Sequence, residues 1–419
     1  MKLFIGILLA LAAVAAVSAD KMRFDHHKVF NLKVASEEQM QILRQLEESA
    51  AEGEYVFGDS PVVGRDVDVV VPPHKLYEFN GIMKKFNIIH ELEVENLQTL
   101  IDAETPIVQP NSVDWTSYHN YTTIYAWLDE LLETYSDVLS SHLIGTTYQN
   151  RPIRAVKLSH KTGNPTIFLE SNIHAREWIT SATATWWLNE LLTSDDPDIV
   201  DLAQNIDWYI IPVFNVDGFH YSHEVNRLWR KTRQNHATIC FGTDANRNFN
   251  FQWMVNNGAS DNPCSETYAG PYAFSEVETR ALSDFLAPIG RQINIYLSFH
   301  SYGQYILFPY GHTRDEVTEY HDIMTDVGNA TREGFAQFNG TEYVVGTTAA
   351  ALYVASGTSV DWAFNEFDIP IGYTFEFRGG SYGFVLPADQ ILPNCYETRD
   401  GIIAMVQRAR ALGYMDVRT

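Results

Sequence analysis

The sequence predicts a chain of the α/β class, in which a small α+β domain precedes a large domain whose mixed, mostly parallel sheet is flanked by helices. Two observations lead to this prediction. Short apolar segments alternate with amphipathic segments through the C-terminal part of the chain, which is typical of buried strands connected by helices. The N-terminal part has its own series of strand and helix patterns, which ends before a stretch containing Pro106 and Pro110.

Residues 1–19 have the pattern of a secretory signal peptide. Lys2 provides the positive charge, Leu3 to Val17 form the apolar core, and Ala19 ends a small-residue cleavage site. The apolar core is shorter than the roughly 20 residues that a membrane-spanning helix needs. We therefore expect a secreted, extracellular protein without a membrane partner. An uncleaved signal anchor is the alternative.

The small domain is predicted over residues 20–106. Its patterns follow the order β-α-(β)β-α-β, which is that of a ferredoxin-like unit. Alternation and helical spacing place strands at 28–34, 66–71 and 86–94, and helices at 37–48, 73–85 and 96–103. Pro73 suits the first turn of the second helix, where a backbone N–H would have no partner.

The large domain is predicted over residues 107–419. It begins with an amphipathic helix at 121–139, which carries Ile124, Trp127 and Leu131 on one face. Apolar strands are predicted at 154–159, 166–170, 206–214, 293–299 and 371–377, and further helices at 180–192, 275–286, 316–338 and 400–412. This alternation predicts one α/β domain with the sheet in its interior.

The net charge and the cysteine content restrict the possible binding partners and the cellular compartment of the protein. A net charge of −24 argues against nucleic acid, because a phosphate backbone attracts basic surfaces. Three cysteines fit an oxidising compartment but are too few for a scaffold built on disulfides. Cys240 and Cys264 would close a modest loop, with a stabilisation of about 3 kcal/mol. Cys395 is then left as a buried free thiol.

Two histidines and a glutamate have the spacing of metal ligands. His174 and Glu177 follow the predicted strand at 166–170, and His300 follows the one at 293–299. Ligands in open α/β sheets bind at the carboxyl ends of the strands, so these side chains should lie together. Three protein ligands and one open position are typical of catalytic zinc sites. A chance His-x-x-Glu in a chain with 14 histidines is the alternative.

Five segments in a fixed order extend this pattern: Asn172–Trp178, Asn226–Arg233, Asp244–Phe249, Ser298–Tyr302 and Tyr373–Arg378. With them, the chain resembles the zinc metallocarboxypeptidases of the carboxypeptidase A/B type, from about Ser112 to the C-terminus and more loosely through the small domain. The resemblance implies a zymogen whose small domain is an activation domain. It also implies one Zn²⁺ per chain on His174, Glu177 and His300, a His₂Glu set for which carboxypeptidase A is a known example.

The same resemblance assigns the chemistry. Glu376 matches the general base that takes a proton from water and returns it to the leaving amine. Arg230 matches the residue that stabilises the developing oxyanion. Asp244 matches the hydrogen-bond partner of the ligand His174. The alternatives are an ordinary turn aspartate at Asp244 and a Glu376 paired with its neighbour Arg378.

Substrate binding is assigned in the same way. Asn246 and Arg247 match the pair that binds the free α-carboxylate of a peptide, which a guanidinium meets with two hydrogen bonds. Tyr353 matches the mobile tyrosine that closes over the substrate. Arg176 and Tyr302 are also expected to contact the peptide. Peptide and protein C-termini are therefore the expected substrates.

Val360 decides the expected specificity. It occupies the position where basic-specific members of the family carry Asp, and an apolar floor cannot satisfy a buried Lys or Arg. Other wall positions add no negative charge: Leu307, Gly311, Thr348, Leu352, Ala355, Thr358 and Thr374. We expect a preference for hydrophobic or aromatic C-terminal residues.

The segment between the domains departs from the family pattern. It contains no Lys or Arg between Lys85 and Arg151, so the activating protease is expected not to be trypsin-like and to cut near Glu104 to Pro110. Trimming at Lys84 and Lys85 is the alternative.

Two other functions are the alternatives to an active carboxypeptidase: a catalytically idle peptide-binding protein on the same fold, and a non-haem iron enzyme. The first would lack a ligand, the base or the oxyanion arginine, and the second would need a cosubstrate site. A monomer is expected by default.

Overall fold

The computed structural model describes residues 21–49, 54–104, 112–236 and 240–418. The predicted signal peptide at 1–19 lies outside the described residues, and so do the domain boundary at 106 and most of the predicted activation segment. Within the described ranges, no helix is both long enough and apolar enough to cross a membrane.

The small domain has the predicted order of elements. Its strands are β1 (Lys28–Lys33), β2 (Val56–Phe57), β3 (Asp66–Val71) and β4 (Ile89–Val94), and its helices are α1 (Glu37–Ser49), α2 (Leu76–Lys85) and α3 (Leu97–Glu104). The sheet has the order β2-β3-β1-β4 with antiparallel neighbours, which confirms the ferredoxin-like arrangement. Alternate strand residues such as Leu32, Val69 and Val71 pack against Leu43 and Phe79 of the helices.

The large domain contains eight strands and eight helices among the described residues. The strands are β5 (Leu139–Thr146), β6 (Pro152–Leu158), β7 (Thr166–Ser171), β8 (Asp207–Ile211), β9 (Ile293–Ser301), β10 (Tyr305–Phe308), β11 (Val344–Thr347) and β12 (Ile371–Phe377). The helices are α4 (Tyr121–Thr134), α5 (Trp178–Thr193), α6 (Pro197–Asn205), α7 (Val216–Glu224), α8 (Val277–Leu286), α9 (His321–Asn339), α10 (Ser359–Phe367) and α11 (Ile391–Ala411).

The large sheet is mixed, as predicted. Its order is β11-β10-β12-β9-β7-β8-β6-β5. The central strands β12, β9, β7 and β8 are parallel, and β10, β6 and β5 introduce the antiparallel pairings. Every residue of β7, β8 and β9 is buried, which explains why these strands are continuous apolar runs in the sequence.

The sequence prediction was wrong at the edges of the sheet. The first helix of the domain ends at Thr134 rather than at 139, because Leu139 begins the edge strand β5. Only Leu139 of β5 is buried, so this strand lacks the apolar run by which the central strands were recognised. The strands β10 and β11 were missed because each has only four residues. Helix α4 begins where predicted, since the Asn120 side chain caps it by accepting from Thr123 N at 3.0 Å.

The two domains are joined by a buried ion pair. Glu104, the last residue of α3, accepts from Nε and Nη2 of Arg227 at 2.7 and 2.8 Å, and both side chains are about 1% exposed. The Arg227 guanidinium also donates to the carbonyl oxygens of Arg176 and Phe384 and lies over the ring of Trp178 at 3.7 Å. An apolar cluster beside this pair contains Phe24, Leu97, Ile101, Leu228 and Val385, so each domain supplies part of it.

Glu104→Ala should destabilise the full-length chain by about 3–5 kcal/mol, because it leaves the buried Arg227 charge without its carboxylate. Urea unfolding monitored by fluorescence measures this change. Asp25→Ala is the control, since Asp25 pairs with Arg23 at the surface and its loss should produce no measurable change. Unfolding curves for Glu104→Ala and wild type that coincide would show that the pair does not hold the domains together.

Candidate metal centre and active site

The predicted metal ligands are brought together by the two central strands. Chain segments after β7 carry His174 and Glu177, and His300 lies near the carboxyl end of β9. Since β7 and β9 are parallel neighbours, with Ser171 opposite Phe299, both segments leave the sheet at the same edge. His174, Glu177 and His300 are each buried, and their potential ligand atoms lie within 4.8 Å of one another.

The hydrogen-bond pattern shows which nitrogen of each imidazole faces the cluster. His174 Nδ1 lies 2.8 Å from Glu177 Oε1, and His300 Nδ1 lies 3.2 Å from His174 Nδ1 and 3.3 Å from Glu177 Oε2. The outer nitrogens point away: His174 Nε2 lies 3.0 Å from Asp244 Oδ1, and His300 Nε2 lies 2.9 Å from Ser298 Oγ. With the Nε2 atoms protonated toward these acceptors, both Nδ1 lone pairs and the carboxylate converge.

Three converging acceptors fit a divalent cation. Two neutral imidazole nitrogens and one carboxylate form the His₂Glu donor set that binds catalytic zinc. Burial alone would raise the pKa of Glu177, but the positive charge that His174 and His300 carry when protonated holds that pKa well below its usual value. The Glu177 carboxyl is therefore an anion, as metal binding requires.

Asp244 is more than a turn residue. Besides His174, it accepts from Arg230 Nη2 at 2.9 Å and Nε at 3.2 Å, and from the backbone N of Asn246 at 2.9 Å. It is fully buried, which by itself would raise its pKa, but Arg230 and then His174 keep that pKa well below the usual range. An anionic Asp244 orients His174 and holds the Arg230 guanidinium beside the cluster, where Arg230 Nη1 lies 4.0 Å from Glu177 Oε1.

Glu376 lies on β12 next to the ligand His300. The two residues are direct partners in the parallel pair β9–β12. Burial, together with the negative charges of Glu177 and Asp59, raises the pKa of Glu376 well above its usual value. The alternative pairing with Arg378 is wrong, because Arg378 binds Glu397 instead.

The residues predicted to bind a carboxylate lie beside the cluster. A short 3₁₀ turn over Ala245–Arg247 buries Asn246 and Arg247 directly after Asp244. Asn246 Oδ1 accepts from Ser359 N at 2.9 Å, and its Nδ2 lies 3.4 Å from His300 Nε2. Arg247 Nη1 donates to the carbonyl of Asn246, and the guanidinium lies 5.8 Å from the centre of the Tyr353 ring.

One pocket connects these groups to the predicted specificity residues. Its lining includes His174, His300, Arg247, Tyr353 and Glu376, and at its inner wall Leu307, Thr348, Leu352, Ala355, Thr358, Val360 and Thr374. Glu376 is the only carboxylate among these lining residues of the described chain. Gly311 was expected in the wall but is not among the described lining residues, and its backbone N–H binds Asp361.

The small domain covers a neighbouring cleft, which shares Tyr353 with this pocket. Arg176 Nη2 donates to the carbonyl of Phe57 at 3.3 Å, and Tyr302 donates to Asp68 at 2.8 Å. Asp59 shares a cleft with Arg176, Arg230 and Tyr353, and burial raises its pKa to about 6. Sequence analysis missed the contacts of Asp59 and Asp68, because no local pattern marks a residue that meets another domain.

Comparison with known proteins agrees with this geometry. Residues 124–401 match the family model described as zinc carboxypeptidase, and residues 30–104 match the carboxypeptidase activation peptide. The chain belongs to the zinc carboxypeptidase family. It is therefore a peptidase made as a zymogen, and zinc is the metal that the family implies.

Relatives of this carboxypeptidase match most of its length. Zinc carboxypeptidase A 1 of Anopheles gambiae is 40% identical over 411 residues, which cover 96% of this chain and 94% of the relative. Zinc carboxypeptidase of Simulium vittatum is 51% identical over 302 residues, which cover 71% of this chain and 99% of the relative. The crystal structure of thrombin activatable fibrinolysis inhibitor aligns with a TM-score of 0.85 at 30% identity, covering 92% of this chain and 98% of that chain.

The cysteines of this carboxypeptidase behave as predicted. Cys240 and Cys264 form a disulfide, and Cys395 is a buried free thiol. The disulfide joins the segment before Asp244 to the loop that carries Glu266, which binds Arg176 at 3.1 Å. It thus connects two segments that supply groups to the covered cleft.

Proposed function

We propose that this chain is a secreted, zinc-dependent exopeptidase that removes hydrophobic or aromatic residues from the C-termini of peptides and proteins. The observation that supports this proposal best is the single pocket that presents His174, His300, Arg247, Glu376 and Val360 to one substrate. A pocket lined by a guanidinium suits a chain end with a free carboxylate better than a continuous chain. Secretion rests on the signal-like pattern of residues 1–19.

His174, Glu177 and His300 would hold one zinc ion per chain. The chemistry that zinc supplies in such a site is a lowered pKa of water and a polarised carbonyl. Glu376 then accepts the proton from the attacking water and delivers it to the amine that leaves.

Arg247 and Arg230 would bind two different anionic groups of the reacting substrate. Arg247, buried beside Asn246, would bind the terminal carboxylate of the substrate through two hydrogen bonds. Tyr353 would close over the bound residue, because its ring already lies beside Arg247. Arg230, held by Asp244, would donate to the oxyanion that forms on the scissile carbonyl. Arg176 and Tyr302 would contact the peptide after the activation domain leaves.

The contacts between the small domain and the large domain would keep the chain inactive before processing. Phe57 and Asp59 of the small domain line the cleft that contains Arg176, and Asp68 accepts a hydrogen bond from Tyr302. We propose that the activating protease is not trypsin-like, since no Lys or Arg lies between Lys85 and Arg151. The mature enzyme is proposed to be a monomer that binds neither nucleic acid nor membrane.

Glu376→Gln should lower kcat of the processed enzyme by about 10²- to 10⁴-fold, because the amide cannot accept the proton of the attacking water. Steady-state hydrolysis of a blocked dipeptide ending in Phe measures this, and the zinc content of the same sample should equal that of wild type. A variant that keeps full zinc and full kcat would show that another group is the base.

Wild type should cleave a blocked dipeptide ending in Phe with a higher kcat/KM than the matched dipeptide ending in Arg. Val360→Asp should shift this ratio toward Arg by about 10-fold or more, since it gives a buried cation a partner. Val354→Asp is a control outside the lining of the inner pocket and should leave the ratio unchanged. A wild-type preference for Arg would contradict the proposed specificity.

Trypsin alone should fail to release an intact catalytic domain from the full-length chain. The linker offers it no basic residue, and Lys84 and Lys85 end helix α2 inside the small domain. Electrophoresis followed by N-terminal sequencing identifies the products over time. A stable, active fragment that begins at residue 85 or 86 after trypsin treatment would refute the proposed activation route.

A further inference from the structure

A buried carboxyl group lies behind the metal ligand His300, on the side away from the substrate. Glu170 on β7 and Ser298 on β9 are direct partners in the parallel pair of these strands. Both side chains are 0% exposed. Because side chains two residues apart in a strand share one face, Ser298 lies on the same face of β9 as His300. Glu170 is therefore the neighbour of Ser298 across the sheet, and Ser298 is the neighbour of His300 along the same face of β9.

The outer nitrogen of His300 has one acceptor among its described partners. His300 Nε2 lies 2.9 Å from Ser298 Oγ and 3.4 Å from Asn246 Nδ2. The orientation of the Asn246 amide is fixed, because its oxygen accepts from Ser359 N at 2.9 Å. Its NH₂ group therefore faces the imidazole and cannot accept a proton from it. When Nε2 carries the proton, the hydroxyl oxygen of Ser298 is therefore its acceptor.

The Ser298 hydroxyl is in turn oriented by its hydrogen bond to Glu170. A hydroxyl has one hydrogen, and that of Ser298 is donated to Glu170 Oε1. Ser359 Oγ donates to the same oxygen at 3.1 Å, which fixes the carboxyl group from a second side. The other oxygen, Oε2, has no hydrogen-bond partner within the described part of the chain. Burying a carboxyl group with one such oxygen is costly, so this carboxyl does not serve stability alone.

We propose that Glu170, acting through Ser298, is a positioning residue for the metal ligand His300. The hydrogen-bond chain from Nε2 to Ser298 Oγ to Glu170 Oε1 holds the ring so that Nδ1 presents its lone pair to the metal. This inference rests on the proposed zinc-dependent function. It gives the two imidazole ligands different supports: His174 is held by the carboxylate of Asp244 directly, and His300 is held by a carboxyl group through a hydroxyl.

Partners of this kind typically change metal affinity by about 10- to 100-fold when they are removed. Glu170→Met removes the acceptor at similar side-chain volume, and Ser298→Ala removes the intermediate hydroxyl. Each should raise the Kd for zinc by about 10- to 100-fold in the full-length chain. Glu170→Gln should restore most of the affinity, because its amide oxygen can accept the same hydrogen bond.

Competition between the protein and a chromophoric chelator measures the zinc Kd and the stoichiometry. The visible absorption spectrum of the cobalt-substituted protein reports ligand geometry independently of activity. The double variant Glu170→Met with Ser298→Ala should bind zinc about as weakly as either single variant, since both interrupt one chain. Glu278→Met is the matched control: Glu278 is also a fully buried glutamate, but it lies on α8 outside the metal cluster.

The outcomes separate the two proposals. A wild-type chain that binds no zinc would overturn the proposed function and this inference with it. A wild-type chain that binds zinc, together with Ser298→Ala and Glu170→Met variants whose Kd and cobalt spectrum match wild type, would overturn the inference alone. Circular dichroism confirms that each variant is folded, and Ser298→Ala decides the matter if Glu170→Met does not fold, because it removes only one oxygen atom.

Discussion

The site depends on one electrostatic constraint: two imidazole nitrogens and a carboxylate converge in a buried space. Both Nδ1 atoms and the Glu177 carboxylate lie within about one hydrogen-bond length of each other, and each Nε2 lies beside an oxygen that can accept an N–H, Asp244 Oδ1 or Ser298 Oγ. With both protons on Nε2, the three inner groups are all acceptors. Such an arrangement is unfavourable in a low-dielectric interior unless a cation neutralises it. A cation held there would offset this cost, and Asp244 and Ser298 would favour the tautomers that leave both Nδ1 atoms free to bind it.

The charged residues around this cluster are themselves paired with groups of opposite charge. Asp244 is neutralised by Arg230, and this places a guanidinium where an oxyanion would form. Arg247 follows Asp244 by three residues in the same tight turn, so the position of the Arg247 guanidinium is coupled to that of His174, which Asp244 contacts. In the zymogen, the small domain brings Asp59 to the cleft that contains Arg176 and Arg230, and Asp68 to Tyr302. The small domain thus places a carboxylate beside guanidinium groups that would otherwise face a substrate.

Much of this arrangement could be predicted from the sequence, for physical reasons. Buried parallel strands are continuous apolar runs, so β7, β9 and β12 were placed correctly, and the ligands that follow them could be assigned to one edge. Edge strands such as β5 and β11 were missed because they are partly exposed to solvent and show little alternation of apolar and polar residues. The ion pair between Glu104 and Arg227 was missed as well, since 123 residues separate its partners. Glu170 was seen only as part of a strand, because its role depends on the register between β7 and β9.

The most direct test of the account compares two peptides that differ only at their C-termini. After removal of the activation domain, a peptide ending in Phe with a free carboxylate and its C-terminal amide are incubated with the zinc-loaded enzyme and with a chelator-treated sample. Mass spectrometry follows the products. The account predicts release of Phe from the free acid alone, and only with zinc. Equal cleavage of the amide, or release that persists without metal, would contradict it.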